Sequence, residues 1–221
     1  MKAVFTCGGT GGHINPALAV ARVLLERRPD SEILFVGAED GMEATLVPRE
    51  GFRLETLQIS SYMRSLKPSA IRHNVRAALS IRRALKKADR IVRDFQPDVI
   101  LGTGGYASYP MLHEGARLGI PTAVHSRSAY RDPSRVIAVG MPVREEFVFT
   151  RRADARRALG LDEKTPMIVS AWGSLGAREM NKKIAQFMKL ECEQDCWRHI
   201  HATGSFGWRW MPDYVKEQGV E

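Results

Sequence analysis

The sequence contains few cysteines and no long apolar run. Three cysteines stand among 221 residues, too few and too odd a number for a disulfide framework, so we expect a reducing compartment. Apolar stretches such as Ile33–Val36 and Val99–Leu101 fall far short of the roughly 20 residues of a membrane span. The start of the sequence also lacks a basic and apolar leader. These absences predict a soluble, intracellular protein.

Several motifs of common nucleotide, metal and nucleic-acid sites are also missing. The sequence has no Gly-Lys-Ser/Thr, as a P-loop requires, and no Asp-x-Asp pair to hold a metal–diphosphate. It has no zinc-finger spacing and no aromatic RNA-binding signature. The set Cys192, Cys196, His199 and His201 mixes helical with strand spacing, which does not suit one tetrahedral ion. We therefore expect no metal, no cofactor and no nucleic acid.

Positive charge is concentrated in one part of the chain. The net charge is +8, and between Tyr62 and Arg93 only Asp89 is acidic. The basic residues of this stretch are Arg64, Lys67, Arg72, Arg76, Arg82, Arg83, Lys86, Lys87, Arg90 and Arg93. A solvated helix face is one explanation, and an anionic membrane surface is the functional one that we favour.

The order of apolar runs predicts an α/β fold. Short β-branched runs alternate with longer helical patterns, as in parallel sheets covered by helices. The first series of predicted strands is Ala3–Thr6, Ile33–Val36, Leu54–Ile59, Val99–Gly102 and Thr122–His125, with a helix over Ser69–Phe95. The second series has predicted strands at Val136–Val139, Met167–Ala171 and His199–Thr203, and predicted helices at Ala153–Leu159 and Ala177–Leu190. We divide the chain into domains 1–140 and 141–221 and expect the second sheet to be incomplete.

Three glycine-rich turns follow predicted strands. Gly8–Gly12 lies between the first strand and a helix that we expect Asn15 to cap, with Pro16 in its first turn. Gly102–Tyr106 and Gly173–Ala177 occupy equivalent places later in the chain. Glycines let the backbone approach a ligand, and a helix N-terminus offers N–H groups to phosphate. The turns predict a phosphate site at the carboxyl ends of the strands.

A series of motifs in this order resembles the MurG family of glycosyltransferases. The motifs are Thr6–Ala19, Gly102–Tyr106, Gly119–Thr122, Pro142–Arg144 and Gly173–Ala177. The resemblance covers essentially the whole chain. It implies a GT-B fold, in which two Rossmann-like domains contain parallel sheets; the second domain is incomplete here.

The resemblance also implies an activity. MurG-like enzymes move N-acetylglucosamine from UDP-N-acetylglucosamine to the 4-hydroxyl of the muramoyl sugar of lipid I, with inversion, at the cytoplasmic face of the bacterial membrane. The implied partners are UDP-N-acetylglucosamine, lipid I and an anionic membrane surface. A GT-B-like sugar-nucleotide epimerase and a non-catalytic membrane-binding fragment remain as alternatives.

Inversion needs a base for the acceptor proton, and we expect His13 or His125 to supply it. The substrate-binding residues that the resemblance implies are Thr10, Gly11, Gly12, Asn15, Gly104, Gly105, Tyr106, Ser128, Arg144 and Ser174.

The chain departs from the family near residue 130. His125-Ser126-Arg127-Ser128 stands where the family has His-Glu-Gln-Asn, and Tyr130–Pro133 leads directly to the strand predicted before Gly140. We expect that a strand and helix of some tens of residues are missing here. We also expect the family's remaining donor motifs to lie beyond Glu221 and this chain alone to be inactive.

Overall fold

The computed structural model describes residues 1–59, 68–125, 133–173, 175–194 and 197–220. The chain forms two compact units, Met1–Val148 and Phe149–Glu221. Each contains a parallel β-sheet, of five strands in the first unit and two in the second.

The first unit is a five-stranded sheet with helices between its strands. Its strands are β1 (Lys2–Cys7), β2 (Glu32–Ala38), β3 (Arg53–Leu57), β4 (Val99–Gly104) and β5 (Thr122–Val124). Its helices are α1 (Gly11–Arg27), α2 (Glu43–Arg49), α3 (Pro68–Phe95) and α4 (Ser108–Arg117), followed by a 3₁₀ turn at Pro133–Arg135. A short helix, α5 (Glu146–Phe149), spans the boundary between the units.

The central strand β1 is buried on both faces because its side chains alternate between two cores. Val4 packs into a cluster with Ile100 and the buried face of α3, whereas Phe5 packs with α1 and stacks on Phe35 at 5.3 Å between ring centroids. Small residues dominate the described buried face of α3, namely Ala77, Ala84 and Ala88. Alanine lets the helix backbone approach the sheet closely.

The strand order β3-β2-β1-β4-β5 places a change of direction between β1 and β4. The chain winds outward from β1 through β2 and β3, and then returns to the other side of β1. Ligands of open parallel sheets bind at such a switch point, at the carboxyl ends of the strands. The turns after β1 and β4 are the two glycine-rich turns of this unit, so both lie at the switch point.

The second unit is smaller. It contains α6 (Arg152–Ala158), β6 (Met167–Ala171), α7 (Arg178–Gln194), β7 (Arg198–Ala202) and α8 (Met211–Glu217). Alternate residues of its two strands are partly buried, whereas Val169 and Ile200 on the other face are 67% and 46% exposed.

The structure corrects two predictions. Helix α1 begins at Gly11 with Thr10 as its N-cap, so Asn15 lies inside the helix and is exposed, and Pro16 follows the first turn. The amides of His13 and Ile14 bond to the Thr10 carbonyl, so the glycines themselves form the first turn. The predicted strand Val136–Val139 was wrong: these residues pair with no strand among the described residues, and Ile137 is 82% exposed.

Among the helices of the described ranges, none is both long and apolar enough to cross a membrane.

Candidate functional site

The first glycine turn presents backbone amides at the start of α1. The amides of Thr10, Gly11 and Gly12 donate to no acceptor in the described parts of the chain, since the first N–H groups of a helix have no intrahelical acceptor. Thr10 and Gly12 are exposed. The partial positive charge of the helix N-terminus lies at the same place. This geometry suits a phosphate group.

The second glycine turn packs directly against the first. Gly105, with φ at +89°, lies so close that an added Cβ would come within 2.4 Å of the Gly8 carbonyl oxygen. A Cβ on Gly104, with φ at +117°, would come within 2.5 Å of Nδ1 of His13. Glycine is therefore required at both positions by the close approach and by the left-handed backbone. The two turns form one continuous surface.

His13 is held by the end of β4. Its Nδ1 lies 3.0 Å from the Thr103 carbonyl oxygen, and the Thr103 hydroxyl donates to the His13 carbonyl at 2.6 Å. A carbonyl only accepts, so Nδ1 carries the proton in this bond. Nε2 of the neutral ring is then a proton acceptor. His13 was predicted as a base from the sequence, whereas Thr103 was predicted only as part of the Gly102–Tyr106 motif and not as a partner of His13.

His125 follows β5 and contacts β4, the strand that also holds His13. Its amide donates to the Gly102 carbonyl at 2.8 Å, and its Nε2 lies 3.0 Å from the Gly140 carbonyl oxygen. That bond requires a proton on Nε2, which leaves Nδ1 as the acceptor in the neutral ring. The structure thus brings both predicted histidines to β4: the His125 backbone bonds to Gly102, whereas the His13 ring bonds to Thr103 and lies against Gly104.

The other predicted binding residues of the first unit differ in their surroundings. Tyr106 is 61% exposed beside the second turn. Asn15 lies one helical turn from Gly11, with its amide nitrogen near that glycine. Arg144 lies 3.8 Å from a carboxyl oxygen of Glu50, the residue that follows α2. Ser128 and Ser174 lie outside the described residues.

Glu43 is a site residue that the sequence analysis missed. It is the first residue of α2 and is fully buried. Its carboxylate accepts hydrogen bonds from the amides of Gly9 at 3.0 Å and Ala38 at 2.7 Å. The helix was not predicted because its seven residues are too few to show an apolar period. The nearby glycines at 37 and 41, which leave room for its side chain, are the signal for it in the sequence.

The second unit contains a connected series of polar side chains, the polar chain, close to the glycine turn Gly173–Ala177. Glu191 contacts His199 at 2.7 Å, His199 contacts Ser170 at 2.7 Å, and Ser170 contacts His201 at 2.8 Å. His201 then contacts Asn181 at 3.1 Å. Because Asn181 donates to the Thr203 carbonyl at 2.8 Å, the polar chain ends at the turn that follows β7.

That turn lies against the third glycine turn. A Cβ on Gly176 would come within 2.0 Å of the Thr203 carbonyl oxygen, and one on Gly204 within 2.1 Å of the Gly176 amide nitrogen. Both units therefore repeat one device, in which two turns after adjacent parallel strands meet through glycine. His199 and His201, which the sequence analysis considered as metal ligands, are both members of this polar chain.

Comparison with known proteins agrees with this arrangement. Residues 3–130 match the glycosyltransferase family 28 N-terminal domain. The chain belongs to glycosyltransferase family 28. Two curated relatives named UDP-N-acetylglucosamine--N-acetylmuramyl-(pentapeptide) pyrophosphoryl-undecaprenol N-acetylglucosamine transferase bear on its place within family 28. The relative from Acetivibrio thermocellus is 34% identical over 230 residues, which cover 92% of this chain and 61% of the relative.

The second relative, from Caldanaerobacter subterraneus subsp. tengcongensis, is 32% identical over 246 residues, covering 100% of this chain and 66% of the relative. The chain therefore spans less than two thirds of the length of these family 28 relatives. The matched region is longer than the 221 residues of this chain, so the relative contains residues within it that this chain lacks. The MurG resemblance is confirmed by these names.

Solved structures confirm the GT-B fold. MurG from Acinetobacter baumannii aligns with a TM-score of 0.60 at 21% identity, covering 97% of this chain and 63% of that one. UDP-GlcNAc 2-epimerase from Methanocaldococcus jannaschii aligns with a TM-score of 0.51 at 11% identity, covering 100% and 69%. At these identities the structural likeness shows the fold of this chain and does not show its substrates.

Proposed function

We propose that this chain forms the acceptor-binding part of an inverting N-acetylglucosaminyltransferase. The protein that contains it moves N-acetylglucosamine from UDP-N-acetylglucosamine to the 4-hydroxyl of lipid I and so makes lipid II for the bacterial cell wall. The observation that carries this proposal is the joined pair of glycine turns at the β1–β4 switch point, with His13 fixed beside them. The names of the family 28 relatives supply the substrates.

His13 acts as the base of the reaction. With Nδ1 bonded to the Thr103 carbonyl, Nε2 accepts the proton of the 4-hydroxyl as its oxygen attacks the anomeric carbon and UDP leaves. Thr103 is a positioning residue, since its carbonyl fixes the tautomer and its hydroxyl fixes the His13 backbone. His125 is the second candidate base.

The amides of Thr10, Gly11 and Gly12 bind the diphosphate of lipid I. Two phosphate groups present several acceptor oxygens, and unpaired N–H groups at a helix N-terminus match them without a metal ion. Gly104, Gly105 and Tyr106 form the adjoining wall of the acceptor site, with Asn15 on the helix behind. Residues 141–221, with Arg144, Ser128 and Ser174, contribute to binding of UDP-N-acetylglucosamine.

We place the protein peripherally on the cytoplasmic face of the cell membrane, where lipid I is embedded. The described basic side chains of α3, from Arg82 to Arg93, are all exposed. Asp89 pairs with Arg93 and Arg117, which leaves most of this positive charge available to anionic lipid.

Replacement of His13 by Gln tests the catalytic assignment. Transfer of labelled N-acetylglucosamine from UDP-N-acetylglucosamine to lipid I in detergent micelles is measured with the protein that contains this chain. General-base catalysis contributes roughly 10²- to 10⁴-fold, so we expect His13→Gln to lower kcat by at least about 10²-fold. His113→Gln, on α4 away from the turns, is the matched control and should leave kcat unchanged.

Two other results would overturn the proposal. Equal turnover by His13→Gln and the unaltered protein would remove His13 as the base. Conversion of UDP-N-acetylglucosamine to its 2-epimer, with no transfer to lipid I, would instead favour the epimerase alternative.

A further inference from the structure

Glu43 is a buried carboxylate whose described partners are backbone amides. Burying a carboxylate costs several kcal/mol unless hydrogen bonds compensate. Its two oxygens accept from Gly9 and Ala38, which follow β1 and end β2 respectively. In the described ranges, no lysine, arginine or histidine forms an ion pair with it. The carboxylate therefore connects two strand ends through their backbones.

Three glycines make room for this side chain. A Cβ at Gly8 would lie 2.6 Å from its Oε1, one at Gly37 would lie 2.3 Å from its Cγ, and one at Gly41 would lie 2.2 Å from its Oε2. Any larger residue at these positions would displace the carboxylate. The three glycines therefore leave a compartment for the Glu43 carboxylate, directly behind the first glycine turn.

The bond to Gly9 fixes the direction of the turn. Gly9 has a left-handed φ of +83°, and its amide donates to Glu43. Once this amide is occupied, the next three, at Thr10, Gly11 and Gly12, are the unpaired ones. We propose that Glu43 is a positioning residue that presets these three amides for the diphosphate of the acceptor lipid. This inference rests on the proposed function, because it assigns the diphosphate of lipid I to that turn.

The two N–H donors around the carboxylate determine the effect of a substitution at position 43. A glutamine at position 43 keeps the shape but replaces one oxygen by an NH₂ group, which cannot accept from an N–H group. Either Gly9 or Ala38 then loses its bond, and the Gly8–Gly9 peptide gains freedom to rotate. Bonds to charged groups contribute about 1.5–3 kcal/mol, so affinity for the diphosphate should fall roughly 10- to 100-fold.

The experiment measures binding of the full 221-residue chain to two kinds of lipid. Undecaprenyl pyrophosphate in neutral detergent micelles reports on the turn, and phosphatidylglycerol vesicles report on the basic surface of α3. We expect Glu43→Gln to lose affinity for the pyrophosphate lipid and to bind the vesicles unchanged. Glu39→Gln, an exposed carboxylate one residue after β2, is the charge-matched control and should bind both lipids normally. A general loss of stability would not separate the two ligands.

Amide hydrogen exchange of the unaltered chain supplies a test that depends on no variant. We expect slow exchange at Gly9 in the free protein and fast exchange at Thr10, Gly11 and Gly12, which should slow when undecaprenyl pyrophosphate is added. Fast exchange at Gly9, or equal binding by Glu43→Gln and the unaltered chain, would overturn the role of Glu43 alone. Failure of the unaltered chain to bind the pyrophosphate lipid would overturn the proposed function as well.

Discussion

Gly105 and Gly119 both adopt left-handed φ angles, of +89° and +78°, but their surroundings differ. A Cβ on Gly105 would lie 2.4 Å from the Gly8 carbonyl oxygen, whereas a Cβ on Gly119 would meet no atom within 4 Å. The comparison separates backbone strain from the close approach of the two turns.

We expect Gly119→Ala to lower the free energy of unfolding by about 1 kcal/mol, from the left-handed backbone alone. Gly105→Ala carries the same strain and also forces the two turns apart, so it should cost about 2–4 kcal/mol. Urea denaturation of both variants, followed by circular dichroism, measures the difference. Equal losses would mean that the turns separate easily and do not form a rigid surface.

Cys7 should be chemically inert in the folded protein. Burial, assisted by the nearby Glu43 carboxylate, raises the pKa of its thiol to about 12. At pH 8 the thiolate fraction is then on the order of 1 in 10,000, and the thiolate is the reactive form. We expect iodoacetamide to label the exposed Cys192 and to leave Cys7 unmodified, as read by peptide mass spectrometry. Both should be labelled in urea, and rapid labelling of native Cys7 would contradict its burial.

At the scale of elements, the polar chain of the second unit connects helix α7 to both strands of its sheet. Burial, together with the neighbouring His199, lowers the pKa of His201 below its ordinary value of 6.5, although a hydrogen bond to the Ser170 backbone opposes the shift. The folded protein therefore binds fewer protons at this site than the unfolded chain. The stability that depends on neutral His201 is fully present above pH 6.5 and declines as the pH falls toward the lowered folded pKa.

Tryptophan fluorescence can follow this pH dependence in one unit. All four tryptophans lie in the second unit, at Trp172, Trp197, Trp208 and Trp210. We expect the urea midpoint of the fluorescence transition to fall between pH 7 and pH 5, and to fall less steeply in His201→Gln. Glu191 and His199 belong to the same series of hydrogen bonds, so the comparison concerns the difference in slope between the two proteins. Identical slopes would exclude His201 as the source.

The strands were predictable from sequence because each is a short apolar or β-branched run bounded by turn residues. The five predicted strands of the first unit and both sheet strands of the second were confirmed to within a few residues. Other elements depend on tertiary contacts. Helix α2 contains a buried acid where a periodic pattern would place an apolar residue, and Val136–Val139 has strand-like composition but finds no strand to pair with.

The candidate site could be predicted in part for the same reason. The glycine turns and His13 are visible in the sequence because their spacing relative to β1 and β4 is local. Thr103 and Glu43 act through backbone groups that lie 90 and 34 residues away along the chain, and only the strand order brings them together. Asn15 was predicted as the helix cap because asparagine favours that position and Pro16 follows it, but the helix begins at Gly11 with Thr10 as its cap.

At the scale of the whole molecule, the net charge of +8 predicts binding to anionic membranes. The described basic side chains of α3 are exposed on the side opposite its buried alanines; they are Arg82, Arg83, Lys86, Lys87, Arg90 and Arg93. Each basic side chain near an anionic surface contributes about 1 kcal/mol, and salt screens it beyond a Debye length of roughly 8–10 Å. Four or five such contacts are enough for a measurable affinity.

We expect the chain to sediment with phosphatidylglycerol vesicles at low salt, to be released at high salt, and to ignore phosphatidylcholine vesicles. Replacing Arg82, Arg83, Lys86 and Lys87 together by Gln should weaken this binding by roughly 10²- to 10³-fold, because it removes about 4 kcal/mol of attraction. Replacing Arg151, Arg152, Arg157 and Lys164 by Gln removes the same charge from exposed positions of the second unit and is the matched control. If both quadruple variants bind alike, net charge rather than the face of α3 attracts the membrane; if binding survives high salt, the attraction is not electrostatic.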